Sequence, residues 1–231
     1  MPAPDTAQPA PAASPEVGRY RWVICGLLLV ITVNNYMDRQ MLSIAAPVIA
    51  AQYHFTNSDI ASIANAFLLA YTVGQLFAGL FVDRIGARRS TTLAVIGWSF
   101  MSGLMALGRS VAQFSLFRFL LGTAESVNFP AGVKVCAEWF PPKERATAVG
   151  IFQSGSAVGA MITPVVAAYL ITRFGWQAAF VLVALPGLIW LPFWLRYYGP
   201  VEAHHRLGEL ERIYILAHRS DQAEPTRGQT I

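Results

Sequence analysis

Charge is scarce in this chain. Asp, Glu, Lys and Arg make up 13% of its 231 residues, against roughly a quarter in an ordinary soluble domain. With 55% hydrophobic residues and a mean hydropathy of +0.45, a water-soluble fold around one core is excluded as a good reading. Cysteine is scarcer still. Cys25 and Cys136 stand alone, without the paired spacing of a disulfide framework or a metal site, and read as inert packing residues. The chain also lacks a metal-ligand cluster, a nucleophile constellation and a glycine loop to cradle phosphate, so no catalytic residue, no metal and no enzyme are expected. His204-His205 lies in a polar stretch and reads as a solvated pair. The net charge of +4 is not gathered into a stripe, which argues against nucleic acid as a partner. The start lacks the basic region and cleavage site of a secretory signal, and residues 1–18, rich in Pro and Ala, read as a disordered cytosolic tail.

What the chain has in abundance is long apolar runs. Six occur, near 21–50, 58–82, 91–109, 112–138, 146–172 and 176–198, each at or above the roughly 20 residues a membrane-spanning helix needs. The spacing predicts an all-α membrane protein with six transmembrane helices over 19–198. Arg19 and Arg21 precede the first span. Arg84, Arg88 and Arg89 follow the second, Lys143 and Arg145 the fourth, and Arg196 the sixth, while the alternate loops hold only Arg109 and Arg173. The positive-inside bias then places both termini in the cytoplasm, and the short loops suit a bacterial inner membrane. Residues 199–231 contain no further span and read as a solvated cytosolic tail or the start of a linker.

Against this apolar background a few ionisable residues stand inside the spans. Such groups are costly in hydrocarbon and mark substrate, ion or proton paths. Asp38-Arg39 lies midway along the first span, beside Asn34, Asn35, Tyr36 and Gln40. Lipid would not tolerate that run, so its face must line protein or a water-filled cavity. In the fourth span Arg118 and Glu125 are seven residues apart, two turns along one helical face and about 10 Å in rise. Gly122 between them leaves room for a ligand or a neighbouring helix. An arginine can grip a carboxylate with two parallel bonds, and a buried carboxyl can carry a proton. A structural ion pair, or an Arg118 that snorkels to the interface, is the plainer alternative. Tyr71 and Gln75, one turn apart in the second span, and Gln153 and Ser156 in the fifth, suit either a ligand or interhelical bonding. Gly155 and Gly159 make a small-xxx-small face for close helix approach.

Two loops carry motifs. Gly79-Leu80-Phe81-Val82-Asp83-Arg84-Ile85-Gly86-Ala87-Arg88-Arg89 reads as a tight cytosolic turn freed by Gly86, with charges that fix topology. Trp139-Phe140-Pro141-Pro142-Lys143-Glu144-Arg145 reads as a second helix end at the interface. The first resembles the signature loop of the major facilitator superfamily, with Phe81 where Leu is usual and Ala87 where a basic residue is common. The stretch Gly122-Thr123-Ala124-Glu125, then Phe129-Pro130-Ala131-Gly132 and Ala137-Glu138-Trp139-Phe140, with Trp176-Gln177, is similar to the organic-anion branch of that superfamily, in particular its hexuronate and galactonate proton symporters.

The resemblance covers about residues 19–198 and implies the N-terminal six-helix half of a twelve-helix carrier with a central site between halves. It implies that Tyr36, Arg39, Tyr71 and Arg118 contact a sugar acid, that Asp38 and Glu125 couple the proton, and that Gly79, Asp83, Arg84, Gly86 and Arg88 form a cytosolic gating loop. The expected activity is proton symport of a small organic anion by alternating access, with no cofactor besides the coupling proton. The expected partners are the bilayer and a missing C-terminal half or a second copy of the chain. Two other readings stay open: a proton-coupled efflux antiporter, which would not call for two arginines in its site, and a non-transporting membrane fragment or interaction subunit.

Overall fold

A computed structural model describes residues 18–220. Of the tail expected over 1–18 only Gly18 lies among them, and 221–231 lie outside. The described residues are built from α-helices: α1 Tyr20–Tyr53, α2 Asn57–Ile85, α3 Ala87–Leu104, α4 Val111–Glu125, α5 Asn128–Trp139, α6 Pro142–Tyr197 and α7 Glu209–Ser220. The six expected spans fall on six rods. The fourth is α4 and α5 end to end, and the fifth and sixth are the two arms of α6, which break at Gly175 with φ 83°. A left-handed residue of this kind is open to glycine without the Cβ penalty. By length and composition, three helices suit a membrane crossing: Asn57–Ile85, Ala87–Leu107 and the 56-residue Pro142–Tyr197, the last about 84 Å of helix at 1.5 Å per residue.

The break within the fourth rod was not expected. Pro130 has no N–H to give and its ring crowds the carbonyl four residues back, at Ser126. The chain turns at Ser126-Val127, and α5 starts two residues later. Close approaches elsewhere follow the glycines. A Cβ on Gly155 or Gly159 would stand 2.7 Å from the Leu29 or Val33 carbonyl oxygen of α1, and one on Gly122 would stand 2.6 Å from the Phe67 oxygen of α2. These three glycines therefore serve backbone packing, and Gly122 leaves its room to a helix, not a ligand.

Apolar side chains form two cores. One gathers Ile24, Leu28, Ile31, Trp98, Trp139, Phe152 and Trp194, the other Met41, Ile49, Phe114, Trp176 and Phe180. Between them α1 buries Thr32, Asn34, Asn35 and Asp38. The polar layer thus sits mid-way along the bundle, where hydrocarbon would be deepest. Cys25 and Cys136 are both buried and unpaired with each other.

The segment after α6 corrects the expectation of a solvated tail. Glu211 on α7 is 1% exposed. Its carboxylate accepts from the backbone N–H groups of Tyr20 and Arg21 at 3.0 and 3.1 Å, an acidic cap on the positive end of α1. Arg21 bridges that carboxylate at 2.9 Å and Glu144 of α6 at 2.7 Å. His204 is also not solvated. It is 8% exposed, its ring lies 4.9 Å from that of Tyr20 and 5.2 Å from that of Trp139, and its Nε2 meets the Tyr197 carbonyl at 3.0 Å. Burial, followed by the nearby charges of His205, Arg206 and Arg212, holds its pKa below the usual 6.5 against the opposing pull of that carbonyl.

A group held neutral in the docked state takes up a proton more readily once released, so acid favours release. Stability of the docked segment is present above the free-imidazole range near 6.5 and is lost as pH falls through it. Amide protection factors over 204–216, which remove the intrinsic pH dependence of exchange, should fall between pH 8 and pH 5.5, and should lose that dependence in His204→Gln. Equal protection of the wild type at both pH values would remove His204 from the docking.

Candidate functional site

Residues 38 and 39 are consecutive on a helix, so their side chains diverge by about 100°. Asp38 turns toward α3, where the Ser102 hydroxyl donates to Oδ1 at 2.6 Å. Arg39 turns the other way, into a cavity of about 160 Å³ lined by Asn35, Tyr36, Arg39, Tyr71, Gln75, Asn128, Phe129 and Gln153. Its guanidinium carbon lies 4.8, 5.2 and 4.4 Å from the ring centroids of Tyr36, Phe67 and Tyr71. Aromatic faces hold a cation without neutralising it.

Glu125, at the end of α4, closes this arrangement from below. Its Oε2 accepts from Nε of Arg39 at 3.1 Å and lies 3.1 Å from Nη2, while Oε1 is buried without a hydrogen-bond partner among the described residues. The glutamate side chain is fully buried, whereas that of Arg39 keeps 22% exposure. Thus the arginine faces the cavity and the carboxylate stands behind it. Arg118 is more buried than Arg39. It is 4% exposed, donates two long bonds of 3.4 and 3.3 Å to the Arg39 carbonyl, and stacks over Phe67 at 4.7 Å. Two arginines and two carboxyl groups share this buried layer, and removing one partner of the Arg39–Glu125 pair would leave the other without its counter-charge in a medium that solvates it poorly.

The structure therefore sorts the expected site residues. Tyr36, Arg39, Tyr71 and Gln153 share the cavity wall, and Gln75 joins them. Glu125 touches the cavity only through Arg39. Arg118 and Asp38 do not line it, so the spacing-based picture of Arg118 and Glu125 as two ends of one ligand site gives way to Arg39 with Glu125 behind it. Ser156 does not line it either, and its hydroxyl donates to the Gln153 carbonyl of its own helix at 2.7 Å. Asn128 went unnoticed in the sequence, and Phe129 entered only through the motif that carries the resemblance, with no place in the site. Their one signal is position, next to the proline that breaks the fourth rod. A larger recess of about 660 Å³ between α2, α3 and α4 is lined by residues such as Leu69, Phe77, Phe81 and Phe119 and has no charged group, which suits hydrocarbon and not an anion.

The loop between α2 and α3 lies elsewhere. Gly86, with φ 82°, makes the turn. Asp83 reaches Lys134 of α5 at 2.7 Å, and Arg88 donates to the Leu195 carbonyl near the end of α6 at 2.5 Å. Arg84 is exposed, and a Cβ on Gly79 would meet nothing within 4 Å. Lys134 is a partner that sequence reasoning passed over, although a lysine inside an apolar span was as conspicuous as Arg118.

Comparison with known proteins adds the following. The family model of the Major Facilitator Superfamily matches residues 28–221. The chain is 34% identical over 202 residues to a galacturonate transporter of Dickeya chrysanthemi, covering 87% of this chain and 59% of that protein. It is 34% identical over 196 residues to a hexuronate transporter of Escherichia coli strain K12, covering 85% and 45%. Among solved structures, a bacterial homolog of the human lysosomal transporter Spinster, inward-facing and occupied, superposes with a TM-score of 0.73 at 22% identity over 80% of this chain and 46% of that one. The inward-open xylose transporter of Escherichia coli gives 0.69 at 16% identity, covering 90% and 58%. The chain spans about half the length of the relatives it matches.

Proposed function

The chain belongs to the Major Facilitator Superfamily, an integral-membrane family of transporters and not of enzymes, and on that footing we propose that it forms the N-terminal six-helix half of a proton symporter for a small sugar acid. The observation that carries the proposal is the Arg39–Glu125 pair at the wall of a polar cavity. A substrate carboxylate and the Glu125 carboxylate want the same guanidinium. While Glu125 is ionised it holds Arg39. A proton on Glu125 releases the arginine, whose planar fork then matches the incoming carboxylate. Tyr36, Tyr71, Gln75, Asn35, Asn128 and Gln153 offer neutral donors and acceptors suited to hydroxyl groups. The relatives named for galacturonate, hexuronate and D-galactonate support the sugar-acid class.

A 160 Å³ cavity is one wall of a site. In the proposed cycle a second six-helix half, from a longer chain or from another copy, closes the other side, and the halves rock about the bound anion. The basic residues at alternate span ends support placing both termini in the cytoplasm of a bacterial inner membrane. Asp83, Arg84 and Arg88, with the turn at Gly86 and the small Gly79, would form its cytosolic gate. The test is uptake of labelled galacturonate by the complete gene product in sealed proteoliposomes. An inward proton gradient should drive accumulation and a proton ionophore should abolish it. Stimulation by the opposite gradient would replace symport with exchange.

A further inference from the structure

Arg89 is the arginine of the α2–α3 turn that the proposed gate leaves unused. It is exposed and makes no hydrogen bond, ion pair or ring contact among the described residues. Recesses surround this end of α3. With Arg88, Arg89 lines a polar recess of about 400 Å³ at the helix end, whose other charged walls are Glu138 and Glu202. The same two arginines head a groove of about 360 Å³ that continues along Thr92, Leu93 and Leu195, between α3 and α6. Leu93 also lines the apolar recess of about 660 Å³ on the side of α2, with Phe77 and Phe81. Residues 89 and 93 are four apart on α3, so they share a helical face with a rise of about 6 Å between them. Leu93 and Leu195 are 56% and 44% exposed. Apolar side chains that call for hydrocarbon thus stand next to the arginines on one side, and carboxylates stand on the other.

That order of walls, apolar, then cationic, then anionic, is the order of an amphiphile. We propose that Arg88 and Arg89 bind the phosphate of one membrane phospholipid, whose acyl chains lie in the grooves beside α3 and whose headgroup ends in a primary ammonium held in the Glu138–Glu202 recess. An arginine fork meets phosphate oxygens with two parallel bonds, and basic pockets between transmembrane helices take lipid headgroups. A free phosphate ion would use the recess alone and leave the grooves uncovered. Two carboxylates facing two arginines give the recess no net positive charge, so a second anionic group gains nothing there, whereas an ammonium gains two counter-charges.

The walls are pinned from behind. Arg88 donates to the Leu195 carbonyl across the mouth of the α3–α6 groove, and its own carbonyl accepts from the Trp194 indole at 3.3 Å. The Tyr198 hydroxyl donates to Glu138 at 2.6 Å, and Pro200 and Val201 complete the recess. A lipid seated there touches the start of α3, the end of α6 and the segment that follows it, and so fastens the α2–α3 turn to the docked segment. The site needs only a chain that lies in a bilayer, as this family does, and does not depend on proton symport.

The test titrates the complete gene product, in a mild detergent, with palmitoyl-oleoyl phosphatidylethanolamine or with phosphatidylglycerol of the same chains, and counts bound lipid by native mass spectrometry. The wild type should hold one phosphatidylethanolamine about fivefold tighter than phosphatidylglycerol. Arg89→Gln should weaken that lipid about tenfold or more, whereas Arg89→Lys, which keeps the charge, should weaken it no more than about threefold. Arg196→Gln removes an exposed cation of α6 that lines neither recess and should leave binding within about twofold. Glu202→Gln should narrow the preference between the two lipids to about twofold. Unchanged binding in Arg89→Gln would overturn the site, and so would an equal loss in Arg196→Gln, which would mean attraction to basic surface at large. Dihexanoyl phosphatidylethanolamine binding as tightly as the long-chain lipid, or displacement of the lipid by inorganic phosphate, would mean an anion site without grooves and would also overturn it. Equal binding of the two headgroups in the wild type would remove the ammonium from the recess and overturn the proposal as stated. Failure of proton-driven uptake would overturn symport and leave this site standing.

Discussion

Arg39→Ala in the complete gene product should cut uptake of a labelled sugar acid by about 30-fold or more, since truncating one partner of a desolvated, hydrogen-bonded charge pair between ligand and site costs about 2–5 kcal/mol and each 1.4 kcal/mol is tenfold. Two losses coincide in that variant: the substrate carboxylate loses its only cationic neighbour on the cavity wall, and Glu125 is left buried without its partner. The second loss could lower folding and imitate the first. The double variant Arg39→Ala with Glu125→Gln separates them, because it leaves no unpaired charge. It should recover the inserted amount and thermal stability of the wild type while uptake stays near background. Arg39→Lys is the sharper control. It keeps the charge but not the planar fork, and the pocket of Tyr36, Phe67 and Tyr71 rings is shaped for a flat cation. It should retain insertion and lose most uptake. Wild-type uptake in Arg39→Ala would place the anion elsewhere, and Arg118, which lies behind Arg39, would not be the next candidate on geometry.

Much of the fold was legible because hydrocarbon is an exacting solvent. The apolar runs fall on six helical rods, and Gly86 and the Pro141-Pro142 pair stand at turns between them, although Pro47, Pro164, Pro186 and Pro192 lie inside α1 and α6. The break before α5 was equally written in Pro130, but a proline inside an apolar run is tolerated so often in membrane helices that it carried little weight. The docking of 199–220 was not legible. Its polar composition is that of a loop, and only tertiary contacts of Glu211, Leu207 and Ile215 bring it back to the bundle.

The site was half legible. Intramembrane charge identified Asp38, Arg39, Arg118 and Glu125 without identifying their pairs. Helical spacing joins residues on one face of one helix, and so it linked Arg118 to Glu125. The Arg39–Glu125 contact spans α1 and α4, 86 positions apart in the chain, and no local period reports it. For the same reason Asp38 and Arg39, adjacent in sequence, looked like one feature, although one α-helical step of about 100° sends them to different faces of α1.

That separation bears on which carboxylate meets the substrate's charge, and the decisive variant is Glu125→Gln. The amide keeps the shape of the side chain but cannot be ionised, so it imitates the protonated state at every pH. In the wild type, binding of one anion accompanied by one proton makes the apparent affinity fall by about tenfold per pH unit once Glu125 is ionised in the empty carrier, because the empty state then has a proton still to take up. In the variant Arg39 never has a competitor. Binding should become flat with pH and remain tight at alkaline pH. Counterflow should persist, and accumulation driven by a proton gradient should fall to the level of simple equilibration, because the step that consumes the gradient has been removed. Fluorescence or radioligand binding from pH 5.5 to 9, beside paired counterflow and accumulation assays, measures all three quantities. If Glu125→Gln still accumulates substrate against its gradient, the coupling proton does not ride on Glu125. The competition between Glu125 and the substrate for Arg39 would then be a static ion pair and not the coupling step.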